Sequence, residues 1–262
     1  MFKDYPGEIW VARKDSPMII GVTDGETYVA SDVPAILKYT RNVYYIGNLE
    51  MARVRKGEIT FYNLDGEEIQ KQMKTIEWDA EAAEKAGFEH FMMKEIYEQP
   101  KAIRDTLNSV VKDGVIDFTD IDITEEEIKK YSQIYIVACG SAWHVGVEAQ
   151  YVIEELAQIP VRVELASEFR YREMPLVKDG LVIVISQSGE TADTLAAMRM
   201  AKDKGLATLA VVNVIGSSIA READKVFYTP GRTGDFGCYE QRDTSAQLVA
   251  LDCIAVQFAK VK

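Results

Sequence analysis

One stretch decides the fold of this 262-residue chain: Leu181-Val182-Ile183-Val184-Ile185-Ser186-Gln187-Ser188-Gly189-Glu190-Thr191. Its first five residues are all apolar, which predicts a strand buried on both faces, as in a parallel sheet covered by helices. The glycine and hydroxyl residues that follow predict a turn into a helix from Glu190 to Lys204, closed by Gly205. The stretch therefore predicts one strand–loop–helix unit of an α/β domain.

The surrounding sequence repeats this pattern. Ile134–Ala138 and Ala207–Val212 are again apolar runs, and Val161–Leu165 is a shorter one. The helix predicted after the first run carries a single apolar stripe. Apolar strands that alternate with amphipathic helices are typical of a doubly wound α/β domain with a parallel sheet, here residues 129–262.

The first part of the chain, residues 1–72, has a different pattern. Short alternating runs recur at strand spacing, separated by turn signals such as Thr23-Asp24-Gly25 and Leu64-Asp65-Gly66. They predict a partial antiparallel sheet, arranged as a meander, with a helix over Val33–Tyr39. By itself this region indicates a structural sheet without chemistry.

Residues 73–128 are acidic and helical in pattern. Phe91–Gln99 has helical periodicity, and Pro100 is expected to stop one helix or to open the next. A charged helical stretch between two differently patterned regions indicates a linker with tertiary contacts of its own.

Composition excludes several classes of function. The net charge of −12 argues against nucleic acid, whose phosphates need a basic surface. No apolar run approaches the roughly 20 residues of a membrane span, and the N-terminus lacks the pattern of an export signal. His90 and His144 are far apart, and Cys139, Cys238 and Cys253 form no CxxC pair, so we expect no metal, no cofactor and a reducing cytoplasm.

Two predicted strand ends carry glycine and hydroxyl residues. One is Cys139-Gly140-Ser141-Ala142 and the other is Ser186–Thr191. Ligands of open α/β sheets bind outside the carboxyl ends of the strands, so both segments are candidate site residues.

The second segment suits a phosphate. Gly189 would let the backbone approach closely, and the start of the next helix offers free N–H groups. Ser186, Ser188 and Thr191 add neutral donors, and the loop has no lysine, which excludes the loop of nucleoside-triphosphate enzymes. Capping of the helix by Ser188 or Thr191 is the structural alternative, but three hydroxyls exceed what one cap requires.

The same residues resemble a known family. Ser186–Thr191 with Ala192-Asp193-Thr194-Leu195 is similar to the signature of sugar isomerase (SIS) domains. Further motifs narrow the resemblance to the glutamine–fructose-6-phosphate aminotransferases (isomerising), or glucosamine-6-phosphate synthases. They are Ala30–Ala35, Lys94–Pro100, Leu165–Arg172 and Asn213–Ser218.

The resemblance implies a function for each region. Members of this family transfer ammonia from glutamine to fructose 6-phosphate and isomerise the product to glucosamine 6-phosphate. Residues 1–72 then correspond to the end of the glutaminase domain, a remnant of an N-terminal-nucleophile fold, and residues 129–262 to the first SIS domain. The family also implies a homodimer through the SIS domain.

The resemblance also assigns the binding residues. Ser186, Gln187, Ser188 and Thr191 are expected to bind the sugar phosphate, with Ser141 and Ala142 in the facing loop. That facing loop usually reads Cys-Gly-Thr-Ser in the family. Ala142 therefore lacks one hydroxyl and could contribute only through its backbone.

No catalytic residue is assigned. The family's nucleophilic cysteine, second SIS domain and Schiff-base lysine have no counterpart in these 262 residues, and Lys260 and Lys262 do not take that role. Without these groups, we expect this polypeptide alone neither to hydrolyse glutamine nor to isomerise fructose 6-phosphate.

Residues 231–244 depart from the family pattern, which resumes at Ser245. A codon choice exists for Gly231–Phe236 that, read one base later, gives the family's Ala-Gly-Pro-Glu-Ile. We hypothesise a local frameshift, which would make Cys238 an accident of the shift; the coding DNA decides this.

Two alternatives stay open. A stand-alone SIS module could bind a sugar phosphate for regulation, although no DNA-binding element is visible. A deglycase of fructosamine phosphates is the other alternative, although such enzymes generally lack the region resembled by residues 1–72.

Overall fold

The computed structural model describes residues 3–14, 17–31, 33, 35–76, 87–229 and 240–262. The chain divides into two compact units. The described residues up to Ile76 belong to the first unit and those from Gly87 onward belong to the second.

The described part of the first unit contains eight short strands in two antiparallel sheets. The strands are β1 (Ile9–Ala12), β2 (Ile19–Val22), β3 (Thr27–Ala30), β4 (Asn42–Tyr45), β5 (Met51–Arg55), β6 (Glu58–Tyr62), β7 (Glu68–Ile69) and β8 (Lys74–Thr75). One sheet has the order β1-β5-β6-β7 and the other β3-β2-β4-β8. The predicted antiparallel strands are confirmed, but their arrangement as one meander is wrong, because they form two sheets. Strand β5, which the sequence did not reveal, lies between β1 and β6.

Strand β2 shows why there are two sheets. Adjacent residues of a strand point to opposite faces, and here both Ile19 and Ile20 are buried. Ile19 packs with Val43 on one face, whereas Ile20 packs with Val54 and Phe61 of the other sheet. The apolar side chains between the two sheets form the core of this unit.

The described residues of the helix predicted over Val33–Tyr39 do not form a helix, since residues 35–39 form hydrogen-bonded turns. The Leu37 N–H donates to Val33 O and the Thr40 N–H to Ile36 O, each at 3.0 Å. The run of turns ends at Thr40, whose hydroxyl donates to Val22 O of β2 at 2.6 Å. This side-chain bond ties the segment to the sheet before a helix can extend.

The described part of the second unit alternates strands and helices and includes a 3-10 turn (Thr119–Ile121). Its elements are α1 (Phe91–Val110), β9 (Val111–Lys112), β10 (Val115–Ile116), α2 (Glu125–Lys130), β11 (Gln133–Ala138), α3 (Gly140–Ala157), β12 (Val161–Leu165), α4 (Ala166–Phe169), β13 (Gly180–Ser186), α5 (Ala192–Asp203), β14 (Ala207–Val212), α6 (Ser218–Glu222), β15 (Lys225–Tyr228) and α7 (Glu240–Val261). Strands β9 and β10 form a small antiparallel hairpin.

The large sheet of this unit is parallel throughout, with the order β12-β11-β13-β14-β15. This confirms the predicted α/β fold. The chain moves outward from β11 to β12 on one side and from β13 to β15 on the other. The order of connection therefore reverses between β11 and β13, which is where doubly wound folds open a crevice at the carboxyl ends of the strands.

Both faces of the sheet are covered, as the apolar runs predict. Ile183 of β13 belongs to a core cluster with Ile153 of α3 and Phe258 of α7. Its neighbour Val184 belongs to a second cluster with Leu195 of α5. All seven residues of β13 are buried, so the strand that ends at the candidate loop is fixed from both sides.

Helix α1 runs through Pro100 and packs against α7. The prediction that Pro100 ends or begins a helix is wrong. Proline deprives the carbonyl four residues earlier, at Ile96, of its helical donor. Both residues are exposed, so water can solvate that carbonyl, while the buried side of α1 keeps its contacts. No helix within the described ranges is long and apolar enough to cross a membrane.

Candidate functional site

The two loops predicted to face each other leave adjacent strands at the crevice. Ala138 of β11 is paired with Ile185 of β13, so the loops that follow them begin side by side. Across the gap, the Thr194 hydroxyl of α5 donates to Cys139 Sγ at 3.9 Å. The structure therefore brings the two glycine- and hydroxyl-rich segments together.

Both long helices that start at this crevice lack a side-chain cap. Cys139 is the N-cap residue of α3 and Thr191 that of α5, and neither side chain accepts a hydrogen bond from its helix. The first N–H groups of a helix have no partner within the helix, and they attract anions. The capping alternative is not realised at Thr191, so these N–H groups are available to a ligand.

The hydroxyl of Ser186 is turned into the loop. Ser186 is buried, its Oγ lies 2.9 Å from Thr191 Oγ1, and it accepts a hydrogen bond from Gly189 N at 3.1 Å. Ser188 makes a second local bond, since its Oγ accepts from Glu190 N at 3.2 Å. These bonds fold Ser186–Thr191 into a compact turn with a defined shape.

Gly189 sits where no other residue fits. Its φ of +64° is in the left-handed region, which residues with a Cβ rarely adopt. A Cβ at this position would also lie 2.0 Å from Ser217 Oγ and 2.5 Å from Ser217 Cβ. The loop after β13 is therefore in direct contact with the segment that follows β14.

The facing loop contributes differently. Ser141 is exposed in the first turn of α3, while Ala142 is buried beside it. The hydroxyl of Ser141 is thus accessible from solvent, and the buried methyl of Ala142 packs against the core.

A third segment belongs to the site, and sequence reasoning did not give it a role. Asn213–Ser218 follows β14, and the backbone from Asn213 to Ile219 binds the loop after β13. Asn213 N donates to Gln187 O at 3.2 Å, and Ile219 N donates to Gly189 O at 3.0 Å. Its position at a strand end, with a glycine and two serines, was the available signal.

Charge near the crevice is locally balanced. Asp193, in the first turn of α5, pairs with Arg170 at the end of α4, with 2.6 Å between Oδ1 and Nη1. An acid in the first turn of a helix is favourable for the helix but repels an anionic ligand. The guanidinium of Arg170 offsets that repulsion.

The unusual segment 231–244 enters the described part of the chain only at its end. Its residues up to 239, including Cys238, lie outside the described residues, so the frameshift hypothesis stays a prediction. Asp243 lies in α7, is buried, and accepts a hydrogen bond from Asn213 Nδ2 at 3.1 Å. This residue connects α7 to the carboxyl end of β14 and was not singled out from the sequence.

Comparison with known proteins agrees with this geometry. The family model for the SIS domain matches residues 127–257, half of the chain. A glutamine–fructose-6-phosphate aminotransferase (isomerizing) of Caldanaerobacter subterraneus is 50% identical over 262 residues, covering 99% of this chain and 43% of that protein. The same enzyme of Methanosarcina acetivorans is 44% identical over 263 residues, covering 99% of this chain and 42% of that protein. The chain thus spans less than half the length of these relatives.

Solved structures show the same similarity. The C-terminal domain of glucosamine-fructose-6-phosphate aminotransferase from Francisella tularensis superposes with a TM-score of 0.62 and 40% identity, covering 68% of this chain and 50% of that one. Glucosamine-6-phosphate deaminase of Thermotoga maritima, at 21% identity and a TM-score of 0.52, covers 65% of this chain and 49% of that one and shares the fold. The chain belongs to the SIS-domain family, and nearly its whole length is similar to part of the glutamine–fructose-6-phosphate aminotransferases.

Proposed function

We propose that the crevice between β11 and β13 binds the phosphate of a hexose 6-phosphate, either fructose 6-phosphate or glucosamine 6-phosphate. The observation that carries the proposal is the pair of long helices, α3 and α5, that begin there without a side-chain cap. A phosphate oxygen supplies the acceptors that these N–H groups lack, and a dianion is favoured by the positive ends of both helices.

The surrounding side chains add selectivity. The half-buried hydroxyls of Ser188 and Thr191 and the exposed hydroxyl of Ser141 can donate to the phosphate or the sugar, and Gln187 can use its amide. Ala142 can contribute only its backbone. Ser186 contributes indirectly, because its hydroxyl is hydrogen-bonded to Thr191 Oγ1 and Gly189 N and so holds the loop in shape.

We propose the aminotransferase pathway as the context of this binding. The relatives match 99% of the chain, and the match therefore includes the antiparallel sheets as well as the SIS domain. This favours transfer of glutamine-derived ammonia to fructose 6-phosphate over a stand-alone regulatory SIS module or a deglycase. Residues 1–72 then belong to the glutaminase part, and residues 73–128 connect them to the SIS domain.

We propose further that these 262 residues bind the sugar phosphate without converting it. The side chains of the two described loops are hydroxyls, an amide, a thiol and one carboxylate, Glu190, whose Oε1 accepts a backbone hydrogen bond. This set suits binding better than proton transfer, which needs an acid or base free to reach the reacting atom. Glucosamine 6-phosphate formed from glutamine and fructose 6-phosphate, above a vector control, would contradict this proposal.

Dimerisation through the SIS domain and a cytoplasmic location are proposals from the same similarity. Sedimentation equilibrium of the 262-residue chain tests the first: a single species at twice the chain mass of 29.4 kDa is the expected result. A monomer at all protein concentrations would contradict it.

Titration of the chain with fructose 6-phosphate, followed by calorimetry and thermal unfolding, tests the binding. Ligand at about 100 times its Kd should stabilise the fold by about 2.7 kcal/mol. Fructose without the phosphate should give no shift. Thr191→Val and Ser188→Ala should weaken binding, whereas Ser132→Ala, at the amino end of β11, is the matched control and should not. No shift at millimolar ligand in a folded sample would overturn the proposal.

A further inference from the structure

Glu190 is an acid inside the loop that is proposed to hold a phosphate. A carboxylate in such a place repels the ligand, so its presence calls for a compensating role. Its Oε1 accepts a hydrogen bond from Ser218 N at 2.8 Å. Its Oε2 is buried and has no hydrogen-bond partner among the described residues. The side chain therefore points away from solvent and toward the segment after β14.

That segment depends on the loop for its first hydrogen bonds. Ser217 is the N-cap residue of α6, yet its own side chain makes no cap bond. Instead, the N–H of Ser218 goes to the Glu190 carboxylate and the N–H of Ile219 goes to Gly189 O at 3.0 Å. The loop after β13 thus caps the helix that follows β14.

The contact between the two segments is also close. Ser217 is 3% exposed, and its Oγ has no hydrogen-bond partner in the described parts of the chain. Ser217 lies against Gly189, and a Cβ on Gly189 would be 2.0 Å from Ser217 Oγ. Gly189 and Glu190 are therefore held by packing against Ser217 and by two hydrogen bonds from backbone N–H groups, one to Gly189 O and one to the Glu190 carboxylate.

We propose that Glu190 is a positioning residue for phosphate binding: its carboxylate locks the loop after β13 to the start of α6 and thereby fixes the backbone that leads into α5. This inference rests on the proposed function. A hydrogen bond from N–H to a carboxylate is stronger than one between neutral groups, which suits a bond that must hold a loop in shape. The N–H of Ser218 offsets part of the carboxylate's charge, so the lock adds less repulsion than a free acid would.

The proposal assigns most of the effect to the acceptor atom that reaches Ser218 N, and only the difference between a charged and a neutral hydrogen bond to the charge. Glu190→Gln keeps an oxygen at the same reach, whereas Glu190→Ala removes it. We expect Glu190→Ala to raise the Kd for fructose 6-phosphate about tenfold or more, and Glu190→Gln to stay within about threefold of the wild type. Glu222→Ala is the matched control: this acid of α6 pairs with Arg199 outside the loop, and its loss should leave the Kd unchanged.

Hydrogen exchange of the backbone amides gives a readout that needs no ligand. In Glu190→Ala, the amides of Ser218 and Ile219 should exchange faster, while in Glu190→Gln they should keep the protection of the wild type. If the wild type fails to bind fructose 6-phosphate, the proposed function is lost, but the exchange experiment still decides whether Glu190 locks the loop.

Three results with Glu190→Ala and Glu190→Gln would overturn the inference. The first is an unchanged Kd in Glu190→Ala, and the second is an equal loss of affinity in Glu190→Gln and Glu190→Ala. The third is unchanged exchange at Ser218 in Glu190→Ala. If Glu190→Ala does not fold, Glu190→Asp takes its place, because the shorter side chain keeps the charge but cannot reach Ser218 N. Glu190→Asp should bind fructose 6-phosphate more weakly than the wild type. Wild-type affinity in this variant would also overturn the inference.

Discussion

The hydroxyl of Ser186 lies 2.9 Å from the hydroxyl of Thr191, so the last residue of β13 is tied to the residue that precedes α5. The same Ser186 oxygen accepts the N–H of Gly189 at 3.1 Å. One buried side chain therefore closes the loop at two points. The loop is formed before any ligand binds, which reduces the loss of conformational entropy on binding.

A double-mutant cycle measures this closure. Ser186→Ala leaves the N–H of Gly189 without its acceptor and should reduce the free energy of unfolding by about 1–3 kcal/mol. Thr191→Val leaves that bond intact and should cost less. Urea unfolding of both variants and the double variant should give a coupling energy of at least about 0.5 kcal/mol. Strict additivity would show that the two hydroxyls do not interact.

Gly189→Ala should destabilise the protein for two reasons. The left-handed backbone costs about 1–2 kcal/mol with a Cβ, and the new methyl group collides with Ser217. Gly205→Ala is the matched control, because Gly205 also has a positive φ, of +80°, but has no atoms near the added Cβ. Chemical denaturation should show a larger loss for Gly189→Ala. Equal losses in the two variants would rule out the collision with Ser217.

The strands of the parallel sheet could be predicted because burial on both faces leaves a simple trace. In β13 and β14, side chains on alternate sides meet helices, so the runs are apolar except for the terminal Ser186 and for Thr208, whose hydroxyl donates to Asp224. Strand β5 is different. It reads Met-Ala-Arg-Val-Arg, and only its Ala52 and Val54 face the core, which made its pairing with β1 invisible in the sequence.

The predicted site residues lie together at the crevice, but the direction of each side chain was not predictable. The family resemblance predicts that Ser186 binds the sugar phosphate, whereas its hydroxyl makes hydrogen bonds within the loop. The sequence predicts Glu190 as the first residue of a helix, whereas α5 begins at Ala192 and the Glu190 side chain accepts a hydrogen bond from Ser218 N. Such contacts depend on which strand lies beside β13, and local sequence pattern does not encode that.

The cysteines should differ in reactivity. Burial, assisted by the charge of Asp252, raises the pKa of the Cys253 thiol to about 11, and Cys253 is 4% exposed. Cys139 is half-buried at the crevice. In a Cys238→Ser variant, a disulfide reagent at pH 8 should label Cys139 in the native protein. It should label Cys253 only after denaturation. Fructose 6-phosphate should slow the labelling of Cys139.

Equal labelling rates for both thiols in the native protein would contradict the buried position of Cys253. If saturating fructose 6-phosphate leaves the labelling rate of Cys139 unchanged, the ligand binds away from the crevice.

Tyr131 should make stability depend on pH at the alkaline end. Burial, together with the charges of Glu127 and Asp224, raises the pKa of Tyr131 to about 12 from its ordinary value of 10.0. Because the unfolded state loses the phenol proton first, this contribution is complete below pH 10 and is lost as the pH rises to about 12. We expect a loss of at most about 2 kcal/mol, allowing for solvent screening.

Tyr131→Phe isolates that contribution, since lysines titrate in the same range in both proteins. The wild type should lose more unfolding free energy than Tyr131→Phe between pH 9 and pH 12. Parallel pH curves for the two proteins would show that Tyr131 titrates as in the unfolded chain.

The two uncapped helices at the crevice have a consequence for how the protein tolerates change. A side-chain substitution does not remove a backbone amide. Substitutions around the crevice can therefore change the contacts with the sugar while the N–H groups that bind the anion remain. Gly189 is the exception, because it is packed against Ser217 and has no space to grow. For engineering, this separates an adaptable lining from one fixed point, and any redesign of the loop must begin by making room at Ser217.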